Sequence, residues 1–186
     1  MTEGLKTHPY WWEAAAPRDL PQAPVAETCD IAIVGAGYAG LSAALVLARA
    51  GRSVQVFDKL RPGEGASSRN GGLASGNIHI GFGKMIKTMG LETALSVYGE
   101  GKTAREGLAA FIADENIDCD YQPVGRFTGA MRPSHYEAQG READRLNKHF
   151  HIDAEMVPKS EQHREIGSDL YHGGMVRPDL AGLHPA

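Results

Sequence analysis

Asp30-Ile31-Ala32-Ile33-Val34-Gly35-Ala36-Gly37-Tyr38-Ala39-Gly40 is the stretch that decides the fold of this chain. Four apolar residues run into Gly-x-Gly-x-x-Gly, and Leu41, Ala44, Leu45 and Ala48 then recur at helical spacing. The order is strand, tight turn, helix. A lone Gly-x-Gly-x-x-Gly carries little weight, but in that order each glycine has its own task. Gly35 permits the turn. Gly37 removes a side chain where a pyrophosphate approaches the backbone. Gly40 lets the helix pack close to the strand. The helix start offers unpaired N–H groups and a partial positive charge to a phosphate. A second strand pattern, Ser53-Val54-Gln55-Val56-Phe57, ends at Asp58. That acid falls about twenty residues beyond the third glycine, where a dinucleotide fold keeps the carboxylate that binds ribose hydroxyls. Residues 29–58 are therefore expected to form a β-α-β unit that binds a dinucleotide.

The chain has 186 residues, enough for one domain or for one domain plus part of another. Hydrophobic residues make up 42% and charged residues 23%, which places it among soluble globular chains. The net charge is −4 and the basic residues are scattered, so no nucleic-acid partner is expected. Cys29 and Cys119 show no metal-ligand spacing and read as thiols of a reducing, cytoplasmic compartment. No histidine pair or Cys/His cluster points to a metal. Residues 31–48 carry no charge and reach the lower length limit of a membrane span. Three glycines at phosphate-loop spacing interrupt that run, and the strand-turn-helix reading accounts for it, so no membrane segment is expected.

Residues 1–27 read as an extended arm, because Pro9, Pro17, Pro21 and Pro24 exclude a long helix. Tyr10, Trp11 and Trp12 are expected to pin the arm to the body, since aromatic side chains mostly supply buried area. After a loop over 59–77, a short helix is expected at 82–89 and a long one at 91–116. In the long helix Leu91, Ala94, Leu95, Tyr98, Leu108, Ala109 and Ile112 share one face, with Arg105 as a charged exception. Strand patterns follow at 119–122 and 126–131. Pro133 opens a helix to about 149. Residues 155–157 read as a strand, 160–166 as a helix and 170–176 as a strand. The first part implies a parallel sheet of Rossmann type, and the later part the start of an α+β region. The expected class is α/β and incomplete: an arm over 1–27, then the N-terminal portion of a dinucleotide-binding domain over 28–186, with 119–186 partly in a substrate region.

The loop after Asp58 sharpens the expectation. It reads Lys59-Leu60-Arg61-Pro62-Gly63-Glu64-Gly65-Ala66-Ser67-Ser68-Arg69-Asn70-Gly71-Gly72. Small residues, hydroxyls, an arginine and an amide suit close approach to a flat ring and a pyrophosphate. At these residues the chain resembles the FAD-dependent oxidoreductases of the D-amino acid oxidase-like superfamily. With the arm Tyr10-Trp11-Trp12 it is most similar to the gamma-glutamylputrescine oxidase branch. The resemblance implies FAD rather than NAD. It assigns Gly35, Gly37 and Gly40 to the pyrophosphate and Asp58 to the adenosine ribose, with Lys59 beside it. Ser67, Ser68, Arg69, Asn70, Gly71 and Gly72 would wrap the flavin side. It also implies oxidation of a C–N bond of an amine or amino acid, with hydride passing to flavin, and it names no catalytic base. Members of that family are considerably longer, so the chain resembles an N-terminal portion. A truncated, non-catalytic FAD-binding remnant or a partner-dependent half is the alternative. An incomplete sheet leaves an unpaired edge and apolar surface, which favours self-association or a missing C-terminal half.

Lys59 and Arg61 raise the question of a 2′-phosphate and NADP, but the charge of Asp58 repels that group. His79 follows the loop closely and is weighed as a polar contact to the ring, with surface packing the commoner role for a lone histidine. His172 and His184 carry less weight. No Gly-x-Ser-x-Gly elbow supports acyl transfer.

Overall fold

A computed structural model describes residues 4–76 and 80–186. The chain divides into two compact units, Met1–Gly72 with His184–Ala186, and Leu73–Leu183.

The first unit is built on the glycine motif. Strand β1 (Ile31–Val34) leads into helix α1 (Tyr38–Arg49), and β2 (Val54–Phe57) returns parallel to β1. Ile31 pairs with Val54 and Val34 with Phe57, so the two strands run in step. The register is latched at its start. The Asp30 carboxylate accepts from the Ser53 N–H at 2.9 Å and from the Ser53 hydroxyl at 3.0 Å, while the Asp30 N–H donates to Ser53 Oγ at 2.8 Å. These bonds, the Ser53 N–H foremost, hold the Asp30 carboxyl below its ordinary pKa. Helix α1 ends where Gly51 adopts φ +76°, the left-handed turn that closes a helix C-terminus. One surface of the strand pair stays open: Val34 is 91% exposed, whereas a parallel sheet is normally covered on both faces.

Among its described residues the arm contains one short 3₁₀ turn, Tyr10–Glu13, and is otherwise irregular, as its prolines require. Both tryptophans grip the loop after β2, as the aromatic cluster predicts. The Trp11 indole N–H donates to Asn70 O at 2.7 Å and that of Trp12 to Ser68 Oγ at 2.9 Å.

The second unit places helices against a small antiparallel sheet. Its elements are β3 (Leu73–Ala74), α2 (Phe82–Met89), α3 (Leu91–Asp114), β4 (Arg126–Gly129), α4 (Pro133–Phe150), β5 (Glu155–Val157), β6 (Gly174–Arg177) and β7 (Ala181–Gly182). Strand β6 lies between β4 and β5, and β3 pairs with β7, all antiparallel. The core gathers Phe82, Met85, Ala94, Tyr98, Ala143, Leu146 and Met175. Phe82 packs at a tilt against Tyr98 and edge-on against Phe150, with ring centroids 5.3 and 5.1 Å apart. Helix α2 begins under a borrowed cap: Glu142 of α4 accepts the Gly83 N–H at 3.0 Å.

The long-helix stripe is buried in part. Ala94, Tyr98 and Ile112 are buried, while Leu91 and Leu108 are exposed. The charged exception has a reason. Arg105 Nη1 donates to Asp179 Oδ2 at 2.7 Å, and the same carboxylate accepts from Arg177. Two local expectations need correction. Residues 119–122 form no strand, because Asp120 sits at φ +48° and only Gln122 makes a bridge, to Gly182. The strand expected at 170–176 begins only at Gly174, because Gly173 turns at φ +81°. The helix expected at 160–166 forms as a 3₁₀ helix over Lys159–Arg164. Strands β3 and β7, two residues each, were not expected from the sequence. Among the described residues no helix is long and apolar enough to cross a membrane.

Candidate functional site

The strand-to-helix junction shows the backbone side of two glycine tasks, the turn at Gly35 and the helix seat at Gly40. Gly35 has φ +107°, a conformation that side chains oppose. Its N–H donates to Phe57 O at 2.7 Å, which ties the turn to the end of β2. A Cβ at Gly40 would lie 1.9 Å from Gly35 O, so only glycine lets α1 sit this close to the turn. A Cβ at Gly37 would lie 2.9 Å from Ser67 Oγ, so the loop approaches the motif through the space a side chain would fill.

Ser67 reaches α1 from the far end of the βαβ unit. Its hydroxyl oxygen accepts the Tyr38 N–H at 3.0 Å and so caps a helix that has no local side-chain cap. The first intrahelical bond runs from the Leu41 N–H to Gly37 O at 2.9 Å. The N–H groups of Gly37, Ala39 and Gly40 meet no acceptor among the described residues. Beside this turn lies a cavity of about 250 Å³. Gly37, Tyr38 and Leu41 line it from the motif, Gly63, Ser67 and Ser68 from the loop, and residues 15–18 from the arm. It offers orphan donors, the positive end of a helix dipole and the Ser67 hydroxyl, which is the donor set of an anion site.

Asp58 stands behind the turn. One carboxylate oxygen accepts the Ala36 N–H at 2.6 Å and the other the Leu60 N–H at 2.8 Å. These bonds, Ala36 first, hold its carboxyl below the usual range. The carboxylate thus supports the glycine loop itself, with lone pairs left over for a further donor. Lys59 is exposed.

The loop residues divide by role. Ser68 is 2% exposed and fully satisfied, accepting from Trp12 and donating to Gly63 O at 2.7 Å. Arg69 lies over the Trp12 ring, 4.4 Å from its centroid, and donates to Glu64 O at 2.8 Å. Asn70 braces the turn: its amide donates to Ser67 O at 2.7 Å, and its Oδ1 accepts the Gly72 N–H at 2.9 Å. The structure therefore gathers Gly37, Ser67 and Ser68 at the cavity, while Arg69, Asn70, Gly71 and Gly72 lie outside its lining. The Tyr38 hydroxyl donates to Pro185 O at 2.6 Å. His184 packs edge-on against Trp11, with ring centroids 4.9 Å apart. His79 lies outside the described residues. Sequence reasoning missed Arg18 and Pro62 at the cavity. Nothing in the spacing of an irregular arm marks the residue that will reach the motif.

The family profile of FAD dependent oxidoreductases matches residues 30–186. The chain belongs to this family. FAD is the cofactor that goes with it, and the junction fits the diphosphate of such a group: free helix-start donors beside a cavity that Gly37 lines without a side chain. The chain is 33% identical over 162 residues to gamma-glutamylputrescine oxidoreductase of Escherichia coli K12, covering 85% of this chain and 37% of that protein. It is 27% identical over 177 residues to the probable oxidoreductase OrdL of Rhizobium meliloti, covering 94% and 41%. The chain thus spans less than half the length of these relatives. Among solved structures it resembles glycine oxidase from Geobacillus kaustophilus, with TM-score 0.66, 20% identity and coverage of 84% and 41%. L-amino acid deaminase from Proteus vulgaris gives TM-score 0.68, 18% identity and coverage of 91% and 38%. At these identities the structural likeness speaks for the fold alone.

Proposed function

We propose that this chain is the N-terminal portion of a cytoplasmic FAD-dependent oxidoreductase that oxidises a C–N bond of an amine or amino acid, with a gamma-glutamylputrescine-like substrate. Bound flavin supplies the hydride acceptor for that oxidation. The observation that carries the reading is the set of orphan N–H groups on Gly37, Ala39 and Gly40 beside a cavity, in a chain of this family. Gly35 and Gly40 set the turn and the helix close together, and Gly37 leaves room for the diphosphate. Asp58 takes the adenosine ribose with the lone pairs its backbone partners leave, and Lys59 lies beside it. Ser67, Ser68, Arg69, Asn70, Gly71 and Gly72 form the flavin-side loop. Residues 28–186 make up the N-terminal portion of the FAD-binding domain, with 119–186 partly in the substrate region. The substrate class is supported by one named relative in sequence, the gamma-glutamylputrescine oxidoreductase of Escherichia coli K12. The two free thiols suit a reducing compartment.

A second reading is favoured by the open surface of β1, where Val34 is 91% exposed. In it the chain holds FAD only together with further polypeptide, whether a C-terminal half or a second copy. One experiment separates the two. The purified chain is examined for flavin absorption in the visible and titrated with FAD. Bound flavin supports the first reading. A folded, colourless chain that takes up FAD only when the missing portion is co-expressed supports the second. A folded chain that takes up none under either condition overturns both.

A further inference from the structure

The arm lies outside the dinucleotide motif, yet it reaches the loop that faces it. Trp12 is held between two constraints. Its indole N–H completes the bonding of the buried Ser68 hydroxyl at 2.9 Å, and its ring carries the Arg69 guanidinium. Trp11 adds a bond to Asn70 O at 2.7 Å, and Asn70 holds Ser67 O in turn. Arg61 ties the arm again, donating to Pro17 O at 3.1 Å. One residue further on, Arg18 lines the cavity. It is exposed, and no acidic side chain pairs with it among the described residues.

The charge balance at the cavity gives this arrangement a purpose. The helix start supplies donors but only about half an elementary charge. A diphosphate brings full negative charges, and the nearest loop guanidiniums are committed elsewhere. Arg69 lies on Trp12, and Arg61 is paired with Glu64 at 2.8 Å. The free guanidinium of Arg18 is the group that complements the deficit, with planar donors suited to phosphate oxygens.

We infer that the arm is a working wall of the cofactor site. Arg18 contacts the diphosphate, and Trp12 is a positioning residue that holds the Gly63–Ser68 segment in the shape the ligand requires. This rests on the reading of the cavity given under Proposed function. It follows by linkage that ligand binding tightens the arm as much as the arm tightens the ligand.

The test uses the full chain with ADP and FAD as probes, measured by calorimetry and flavin fluorescence. Arg18→Gln removes a surface charge that supports no other contact, so the fold stays intact. It is expected to weaken ADP and FAD roughly tenfold, the usual scale of one charge-assisted hydrogen bond, and to leave adenosine unchanged. Trp12→Phe keeps a ring under Arg69 but removes the indole donor. It is expected to weaken ADP and to abolish the protection that ADP gives the Arg18–Asp19 bond against trypsin. A destabilised variant in the second unit, Ile112→Ala, serves as control and is expected to keep both. The inference is overturned if Arg18→Gln binds ADP as the parent does. It is equally overturned if Trp12→Phe lowers thermal stability while affinity and trypsin protection stay put. A parent chain that binds neither ADP nor FAD brings down the underlying reading as well, which distinguishes the two failures.

Discussion

Replacing Gly40 by alanine puts a methyl group where the protein has backbone. The new Cβ would lie 1.9 Å from Gly35 O, 3.1 Å from Gly35 C and 3.3 Å from Ile33 Cγ2. The obstructing atom cannot rotate away as a side chain would. Gly35 is held at φ +107° and its N–H is tied to Phe57 O at 2.7 Å. Helix α1 must therefore back off by about 1 Å, and forcing a carbon into so tight a seat costs about 1–3 kcal/mol. Inside a helix, Gly→Ala ordinarily contributes about 1 kcal/mol in the opposite direction. The clash outweighs that gain, so Gly40→Ala is expected to destabilise the first unit by about 1–2 kcal/mol net. Gly107 is the counter-case. It lies within α3, and nothing stands within 4 Å of its added Cβ, so Gly107→Ala is expected to stabilise by about 0.5–1 kcal/mol. Urea unfolding followed by far-ultraviolet circular dichroism compares the two variants directly. If Gly40→Ala proves as stable as the parent, or if both variants move in the same direction, the backbone-limited seat of the helix is refuted.

Three further outcomes are expected. Asp58 has a folded pKa held down chiefly by the Ala36 N–H, so its stabilisation is complete above the unfolded value near 3.9 and is lost as pH falls through the folded value. Asp58→Asn should accordingly be less stable than the parent at neutral pH, with the gap closing below about pH 4. Urea midpoints across that range check it, and a constant gap contradicts it. Asp179→Asn leaves Arg177 and Arg105, with side chains 8% and 15% exposed, without their carboxylate, and should cost about 3–5 kcal/mol in denaturant unfolding. Phe82→Ala empties a fully buried ring site among Tyr98, His149 and Phe150 and should cost about 3–5 kcal/mol in the same assay.

The elements that sequence reading located well are those whose signal is local. Helices α2 and α4 begin where the pattern places them, at Phe82 and at Pro133, because periodicity and a proline at the first turn act over a few residues. The elements it misjudged depend on distant partners or on one backbone angle. Strands β3 and β7 are two residues long and exist only because they find each other across more than a hundred residues. Residues 119–122 look like a strand by composition, but the left-handed Asp120 forbids it. Arg105 looked out of place on an apolar stripe because its partner, Asp179, lies on a loop far along the chain.

The candidate site divides in the same way. Gly35, Gly37, Gly40 and Asp58 were legible because a turn, a close approach, a helix seat and a carboxylate at the end of β2 each demand one residue type at one spacing. The sequence alone therefore determined the dinucleotide-binding class, the parallel strand pair and the family. Only the tertiary structure decided that Ser67 caps α1, that Arg69 turns to Trp12, and that Arg18 of the arm lines the cavity. The physical reason is that backbone conformation is written residue by residue, whereas the partner of a hydroxyl or a guanidinium is whichever segment the folded chain carries to it.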